Sequence, residues 1–263
     1  MTAEDTSHDL YTDYMFVRLP YIVGAFMDKK RLLTHVRKAC SDYNMINDGD
    51  VIAVGISGGK DSLTLLYALH ELRRFYPKKF DVKAITVGLG FPNCSFSPVI
   101  DWCAGLGIEY RIVETKIGAI VFDERKEKNP CSLCANMRRG ALNNAAKEMG
   151  CNKIAYGHNK DDTVESFFMS LIYEGRIHTF RPVTYLDKAD LTVIRPLLYA
   201  PENGVLAFAK RNELPIIPSP CPVDGRTKRQ EIKEFIKHQN TVFKGFEDNA
   251  FGAIMRSNLG GWN

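Results

Sequence analysis

The run VIAVGISGGKDSLTLL, Val51 to Leu66, constrains this chain more than any other stretch. Val51–Ile56 is short, apolar and rich in β-branched residues, which suits a strand of a parallel sheet buried on both faces. Ser57-Gly58-Gly59 forces a tight turn, and Leu63–Leu72 carries apolar residues at helical spacing. A strand, a glycine turn and a helix aim backbone N–H groups and a helix N-terminus at an anion. The glycines permit close approach of the backbone, and Lys60 adds a mobile positive charge. Asp61 is the unexpected neighbour: a carboxylate beside a phosphate repels it unless a divalent cation lies between, so Asp61 reads as a magnesium-side residue.

The loop is not of the Walker type, G-x-x-x-x-G-K-S/T, because Val54 stands at the first glycine position and Asp61 replaces the hydroxyl residue. Ser57-Gly58-Gly59-Lys60-Asp61-Ser62 instead resembles the pyrophosphate loop of the N-type ATP pyrophosphatases. That resemblance implies cleavage of ATP between its α and β phosphates, with adenylation of a substrate oxygen. Ser57, Gly58, Gly59, Lys60, Asp61 and Ser62 are the nucleotide-binding candidates it points to, together with Val87 on the next strand.

The 263 residues suffice for one large α/β domain with small additions, and 45% hydrophobic with 25% charged residues is ordinary for a globular chain. The net charge of +4 permits a nucleic-acid partner without requiring one. The apolar stretch Tyr14–Met27 is interrupted by Arg18 and Pro20 and is too short to span a bilayer; no secretory leader opens the chain, so a cytoplasmic location is expected. Seven cysteines in that compartment are poor candidates for structural disulfides.

Residues 1–28 read as an irregular extension, acidic at its start, and residues 29–215 as the nucleotide-binding domain. Lys29–Asn44 is an amphipathic helix with a basic outer face. Strands follow at Val82–Leu89, Glu109–Glu114, Lys153–Tyr156 and Thr192–Ile194. Helices intervene from a Ser97 cap with Pro98 at the first helical position, at Ala135–Met149, at Asp161–Tyr173 and near Asn203–Arg211. The alternation predicts a doubly wound parallel sheet of about five strands. Residues 216–263 form a C-terminal segment with a charged helix at Thr227–Lys237 and a further helix within Val242–Phe251.

Ligands of such sheets sit beyond the carboxyl ends of the strands. The turn Gly157-His158 after the fourth strand should therefore meet the glycine loop. Asp161 and Asp162 suit capping of the helix that follows, and equally magnesium coordination beside a triphosphate. Asp61 and Asp162 are the magnesium candidates; Gly157, His158 and Asp162 join the nucleotide contacts, and Asp161 joins Lys60 and Asp61 as a catalytic candidate.

Cys131-Ser132-Leu133-Cys134 follows Pro130 and enters a helix, while Cys221 sits in the stiff segment Pro218-Ser219-Pro220-Cys221-Pro222. Three thiolates satisfy an iron–sulfur cluster with one iron lacking a cysteine ligand, zinc with a fourth ligand of another kind, or persulfide chemistry without metal. Cys40, Cys94, Cys103 and Cys151 read as packed thiols. Arg138, Arg139, Arg226, Lys228 and Arg229 cluster in sequence beside the thiolates. They are either solvated helix faces or a surface for RNA phosphates.

The segments DYNMINDGDVIAVGISGGKDSLTLL, NPCSLCANMRRGAL, AYGHNKDDTVESF and ELPIIPSPCP together resemble the tRNA 2-thiocytidine synthetases, from about Lys29 to Ile236. The resemblance implies ATP-dependent replacement of the C2 oxygen of an anticodon-loop cytidine by sulfur. It also implies a four-iron four-sulfur cluster on Cys131, Cys134 and Cys221, a tRNA substrate, and a sulfur donor such as a cysteine desulfurase or free sulfide. Related thiolases act as homodimers. One departure is Asp224, which stands where a second CxxC would place its last cysteine. Thiolation of a tRNA uridine, an adenylating ligase or amidotransferase with structural zinc, and a nucleotide-binding module without turnover are the competing expectations.

Overall fold

The computed structural model describes residues 27–92, 95–126, 130–223, 225, 227–257 and 259–262. The extension 1–26, Cys94, Asp224 and Arg226 lie outside them. The chain opens with α1 (Lys29–Asp42), β1 (Asp50–Gly55), α2 (Lys60–Leu72), β2 (Phe80–Gly88), α3 (Ser97–Gly105) and β3 (Tyr110–Glu114). A single turn, α4 (Ile117–Ala119), continues as a π-helical turn over Ile120–Glu124 and leads to the long α5 (Pro130–Glu148). Then come β4 (Lys153–Ala155), α6 (Lys160–Glu174), β5 (Val183–Leu186), β6 (Leu191–Ile194), α7 (Glu202–Arg211), α8 (Lys228–Val242) and α9 (Phe246–Arg256).

The six strands run in the order β3-β2-β1-β4-β6-β5 and are parallel except for β5, which pairs antiparallel with β6. The order reverses at β1, so the crevice beyond β1 and β4 is the topological switch point where ligands of open sheets bind. Alternation along each strand feeds two cores. Ile52, Val54, Val82, Ala84 and Ala155 face a large cluster shared with α1, α2 and α7, whereas Ala53, Ile85 and Ile154 face Leu142, Ala145 and Ala146 of α5. Helices thus cover both faces, as the alternation of elements predicts.

Three features depart from the sequence expectation. The edge strand β5 was not anticipated, because Val183–Leu186 is only four residues long and lies next to Pro182. Ser97 is the first residue of α3 rather than its cap; Phe96 caps the helix without a side-chain hydrogen bond, and the Ser97 amide donates to Ser95 Oγ at 3.3 Å. The helix read from Ala135 starts already at Pro130, where a missing N–H costs nothing, so the CxxC lies in the opening turns of α5. The C-terminal segment is packed into the main core: Ile232 and Ile236 of α8, Phe251 and Ile254 of α9, and Trp262 beyond it belong to the same buried cluster as β1. Among the described residues no helix is long and apolar enough to cross a membrane.

Candidate functional site

The glycine loop closes on itself through its serines. Ser62 Oγ donates to the Gly59 carbonyl at 2.9 Å and accepts from the Ser57 amide at 3.2 Å, while the Gly59 amide donates to Ser57 Oγ at 3.3 Å. Gly58 has φ +83°, a conformation that L side chains rarely adopt, and a Cβ there would stand 3.1 Å from Cβ of Ile217. Gly59 caps α2 without a side chain, so the first-turn amides face outward for an anion rather than being satisfied by a cap.

The start of α6 is built against the start of α2. Asn159 and Asp162 form a capping box, the Asp162 amide donating to Asn159 Oδ1 at 3.0 Å and the Asn159 amide to Asp162 Oδ2 at 2.9 Å. Asn159 Nδ2 also donates to Asp61 Oδ1 at 3.0 Å, which locks the two helix starts together. Gly157 makes the close approach possible: a Cβ would lie 2.9 Å from the Asp61 carbonyl carbon. A cavity of about 580 Å³ beyond these turns is lined by Ser57, Asp61, Ser62, Val87, Gly157, His158 and Asp162, so seven of the ten nucleotide candidates converge there. Burial, with Glu165 and Asp61 adding to it, pushes the Asp162 carboxyl up to about 6 against the opposing pull of the Asn159 amide and Arg229.

Two candidates lie elsewhere. Asp161 is outside this lining; its Oδ2 accepts the Glu202 amide at 2.8 Å, so it caps α7 and faces a second cavity of about 410 Å³ with Asn203 and Lys233. Lys60 is held by Asp61 Oδ2 at 2.7 Å and Glu202 Oε1 at 3.0 Å, and Glu202 pairs in turn with Lys233 of α8. Burial alone would lower the Lys60 pKa, but the two carboxylates outweigh it and raise it.

The cysteines separate into two classes. Cys40, Cys103 and Cys151 are buried, which raises their thiols to about 12, 11 and 11. Cys131 is exposed, and Cys134 and Cys221 are half-buried. Cys134 and Cys221 line one cavity of about 350 Å³ together with Ser57, Gly59, Val87 and Arg138. The segment carrying Cys221 is pinned to the glycine loop, the Ile217 amide donating to the Gly58 carbonyl at 2.9 Å. Among the described residues no three His, Cys, Asp or Glu side chains stand together as a metal-binding group. Burial raises the Cys134 thiol, and Arg138 works against that rise. In folded protein freed of any bound metal, iodoacetamide should label Cys131, Cys134 and Cys221 while sparing Cys40, Cys103 and Cys151 until unfolding, as read by peptide mass spectrometry. Rapid native labelling of any of the buried three would contradict this packing.

The basic candidates divide as well. Arg138 and Arg139 are exposed on α5 and line the larger cavity. Arg229 is turned inward, its Nη1 3.2 Å from Asp162 Oδ1 and 3.1 Å from Glu165 Oε2, a position that serves carboxylates rather than an RNA backbone. Lys228 lies over the Tyr173 ring at 4.6 Å. Sequence reading missed Asn159, Glu202, Ile217 and Arg195. Arg195 follows directly on a strand and lies at the ligand-binding end of the sheet, a signal that could have marked it.

A model of the PP-loop domain matches residues 29–249. A tRNA-cytidine(32) 2-sulfurtransferase of Teredinibacter turnerae is 40% identical over 233 residues, covering 87% of this chain and 76% of that protein. That of Mannheimia succiniciproducens is 38% identical over 256 residues, covering 97% and 79%. Among solved structures, the U34-tRNA thiolase NcsA of Methanococcus maripaludis with its 4Fe-4S cluster superposes with a TM-score of 0.69 at 28% identity, covering 86% of this chain and 78% of the other.

Proposed function

The chain belongs to the PP-loop family and, within it, to the tRNA-cytidine(32) 2-sulfurtransferases, and on that premise we propose that it replaces the C2 oxygen of a tRNA anticodon-loop cytidine, position 32, by sulfur at the expense of ATP. The observation that carries the reading is the bond between Ile217 and Gly58: it places the Cys221 segment against the nucleotide loop, so sulfur chemistry and adenylation share one crevice.

The α2 amides, Ser57 and Ser62 receive the phosphates, and Asp61 and Asp162 hold the magnesium that offsets their charge. The C2 oxygen attacks the α-phosphorus, pyrophosphate leaves, and the C2–O bond becomes a bond to a good leaving group. Sulfide then adds at C2 and AMP departs with the original oxygen. Cys131, Cys134 and Cys221 are free, accessible thiols, and two of them share a cavity with the loop; thiolates are the donors an iron–sulfur cluster takes, although the three do not stand together as a metal-binding group in this structure. When bound, the cluster would carry the donated sulfide that is transferred. Arg138 and Arg139 border the cavity where RNA phosphates approach. Delivery of sulfur by a cysteine desulfurase or as free sulfide, a homodimeric assembly and a cytoplasmic location belong to the same reading.

A mass-spectrometric nucleoside profile of tRNA from cells with and without this gene tests it. Selective loss of 2-thiocytidine, restored by the wild type, is the expected result. Loss of a thiouridine would move the target to another base, and an unchanged set of thionucleosides would overturn the sulfurtransferase reading.

A further inference from the structure

Arg195, just beyond β6, is tied into the nucleotide crevice. Its Nη1 donates to the Arg181 carbonyl at 2.6 Å, its guanidinium lies 5.0 Å over the Phe180 ring, and its Nε donates to His158 Nδ1 at 3.2 Å. Phe180 stacks on His158 with ring centroids 4.8 Å apart and planes 28° from parallel, and its own carbonyl accepts the Trp262 indole N–H at 3.0 Å. His158 is therefore gripped on one face by Phe180 and in its plane by Arg195.

A guanidinium has only N–H groups to offer, so His158 Nδ1 must accept and the imidazole must carry its single proton on Nε2. Burial and the adjacent Arg195 charge, with Arg229 adding to it, hold the imidazole down to about 3, so it stays neutral at working pH. Arg195 is itself lowered to about 10 by burial and remains charged. No residue among those described pairs with Nε2, and the ring lines the cavity that also contains Asp61, Ser62 and Asp162.

We propose that Arg195 is a positioning residue that fixes His158 as a neutral Nε2–H donor to a phosphate oxygen of the bound nucleotide. The proposal rests on the reading of the glycine loop as an ATP site. With Nδ1 occupied and Nε2 protonated, the ring has no lone pair for magnesium and no basic nitrogen for a proton, so His158 is neither a metal ligand nor a general base. A neutral donor also adds no positive charge to compete with the cation held by Asp61 and Asp162. The unanticipated edge strand gains a purpose here, since Phe180 and Arg181 lie on the chain entering β5.

Long-range proton–nitrogen NMR on histidine-labelled wild-type protein tests the tautomer, with His158→Ala and His158→Gln identifying the signal. The expected result is an Nε2–H tautomer that does not titrate between pH 8 and 5.5. An Nδ1–H tautomer, or titration near 6.5, would overturn the proposal. In Arg195→Met the ring should show mixed tautomers or titrate, and Arg195→Lys should not restore the wild-type pattern, because an ammonium lacks the fixed fork.

Calorimetry with ATP and with adenosine supplies the second readout. His158→Ala and Arg195→Met should weaken ATP binding about 3- to 10-fold, the range of one hydrogen bond, and leave adenosine binding unchanged. His158→Gln, whose amide N–H reaches toward the Nε2 position, should recover most of the loss. Equal losses for both ligands, or none for ATP, would remove the phosphate role. If Arg195→Met does not fold, the wild-type spectrum and the His158 variants still decide. None of these measurements involves tRNA, so their failure would leave the sulfurtransferase reading standing.

Discussion

Gly157→Ala is expected to lower tRNA-dependent pyrophosphate release by about 100-fold, the cost of misplacing reacting groups by roughly 1 Å. The added Cβ would meet the Asp61 carbonyl carbon at 2.9 Å, the Ser62 amide nitrogen at 3.0 Å and the Asp61 carbonyl oxygen at 3.1 Å. These are backbone atoms of the first turn of α2, not the end of a flexible side chain. Relief therefore requires α2 and the turn before α6 to separate, which pulls the phosphate amides away from Asp162. The fold should survive, since α2 and α6 both remain anchored in the main core by residues such as Leu66 and Val164. Gly140→Ala makes the control: its Cβ would meet nothing within 4 Å in the middle of α5, so it should leave turnover intact and stabilise by about 0.5–1 kcal/mol. Pyrophosphate release and thermal melting of the two variants check both. Turnover of Gly157→Ala within about 3-fold of wild type, set against the roughly 100-fold loss expected, would show that the two helix starts need not touch.

Cys221→Ala, Cys134→Ala and Cys131→Ala are expected to abolish tRNA thiolation, a loss on the order of 1,000-fold or more, while ATP binds within about 3-fold of wild type. The separation of effects follows from the geometry. The Cys221 segment is fastened to the glycine loop through the Ile217 amide, so removing a sulfur four residues later leaves the loop's support in place. Thionucleoside analysis and ATP calorimetry, run alongside iron, sulfide and zinc content of anaerobically purified protein, read the result. Loss of ATP binding in all three variants, with zinc in the wild type, would instead assign the cysteines to a structural metal and favour an adenylating ligase. Lys60→Ala should act in the opposite sense, weakening ATP binding without changing metal content.

The phosphate loop, the crevice at the switch point and the three accessible cysteines were legible because each rests on local rules. Backbone conformation at Gly58, capping at Asn159 and Asp162, and strand–helix alternation are set by neighbours a few residues apart. Proline on both sides of Cys221 and at the head of the CxxC helix likewise declares itself in the chain. Charge partners do not. Sequence assigned Asp161 to catalysis and Arg229 to RNA, yet Asp161 caps α7 from 41 residues away and Arg229 reaches back to Asp162 across 67. Neither pairing leaves a trace in spacing, because a carboxylate meets a distant amide or guanidinium wherever packing brings the two together.

By itself, then, the sequence determined the doubly wound class, the nucleotide loop and, among the six described cysteines, which thiols are accessible, all properties of periodicity and local conformation. Tertiary structure alone decided that Lys60 is shared with Glu202, that Gly58 is latched to Ile217, and that Arg195 holds His158. Those contacts join segments that meet only once the sheet is assembled. Their strength comes from burial in the common crevice, which exists in the fold and nowhere along the chain.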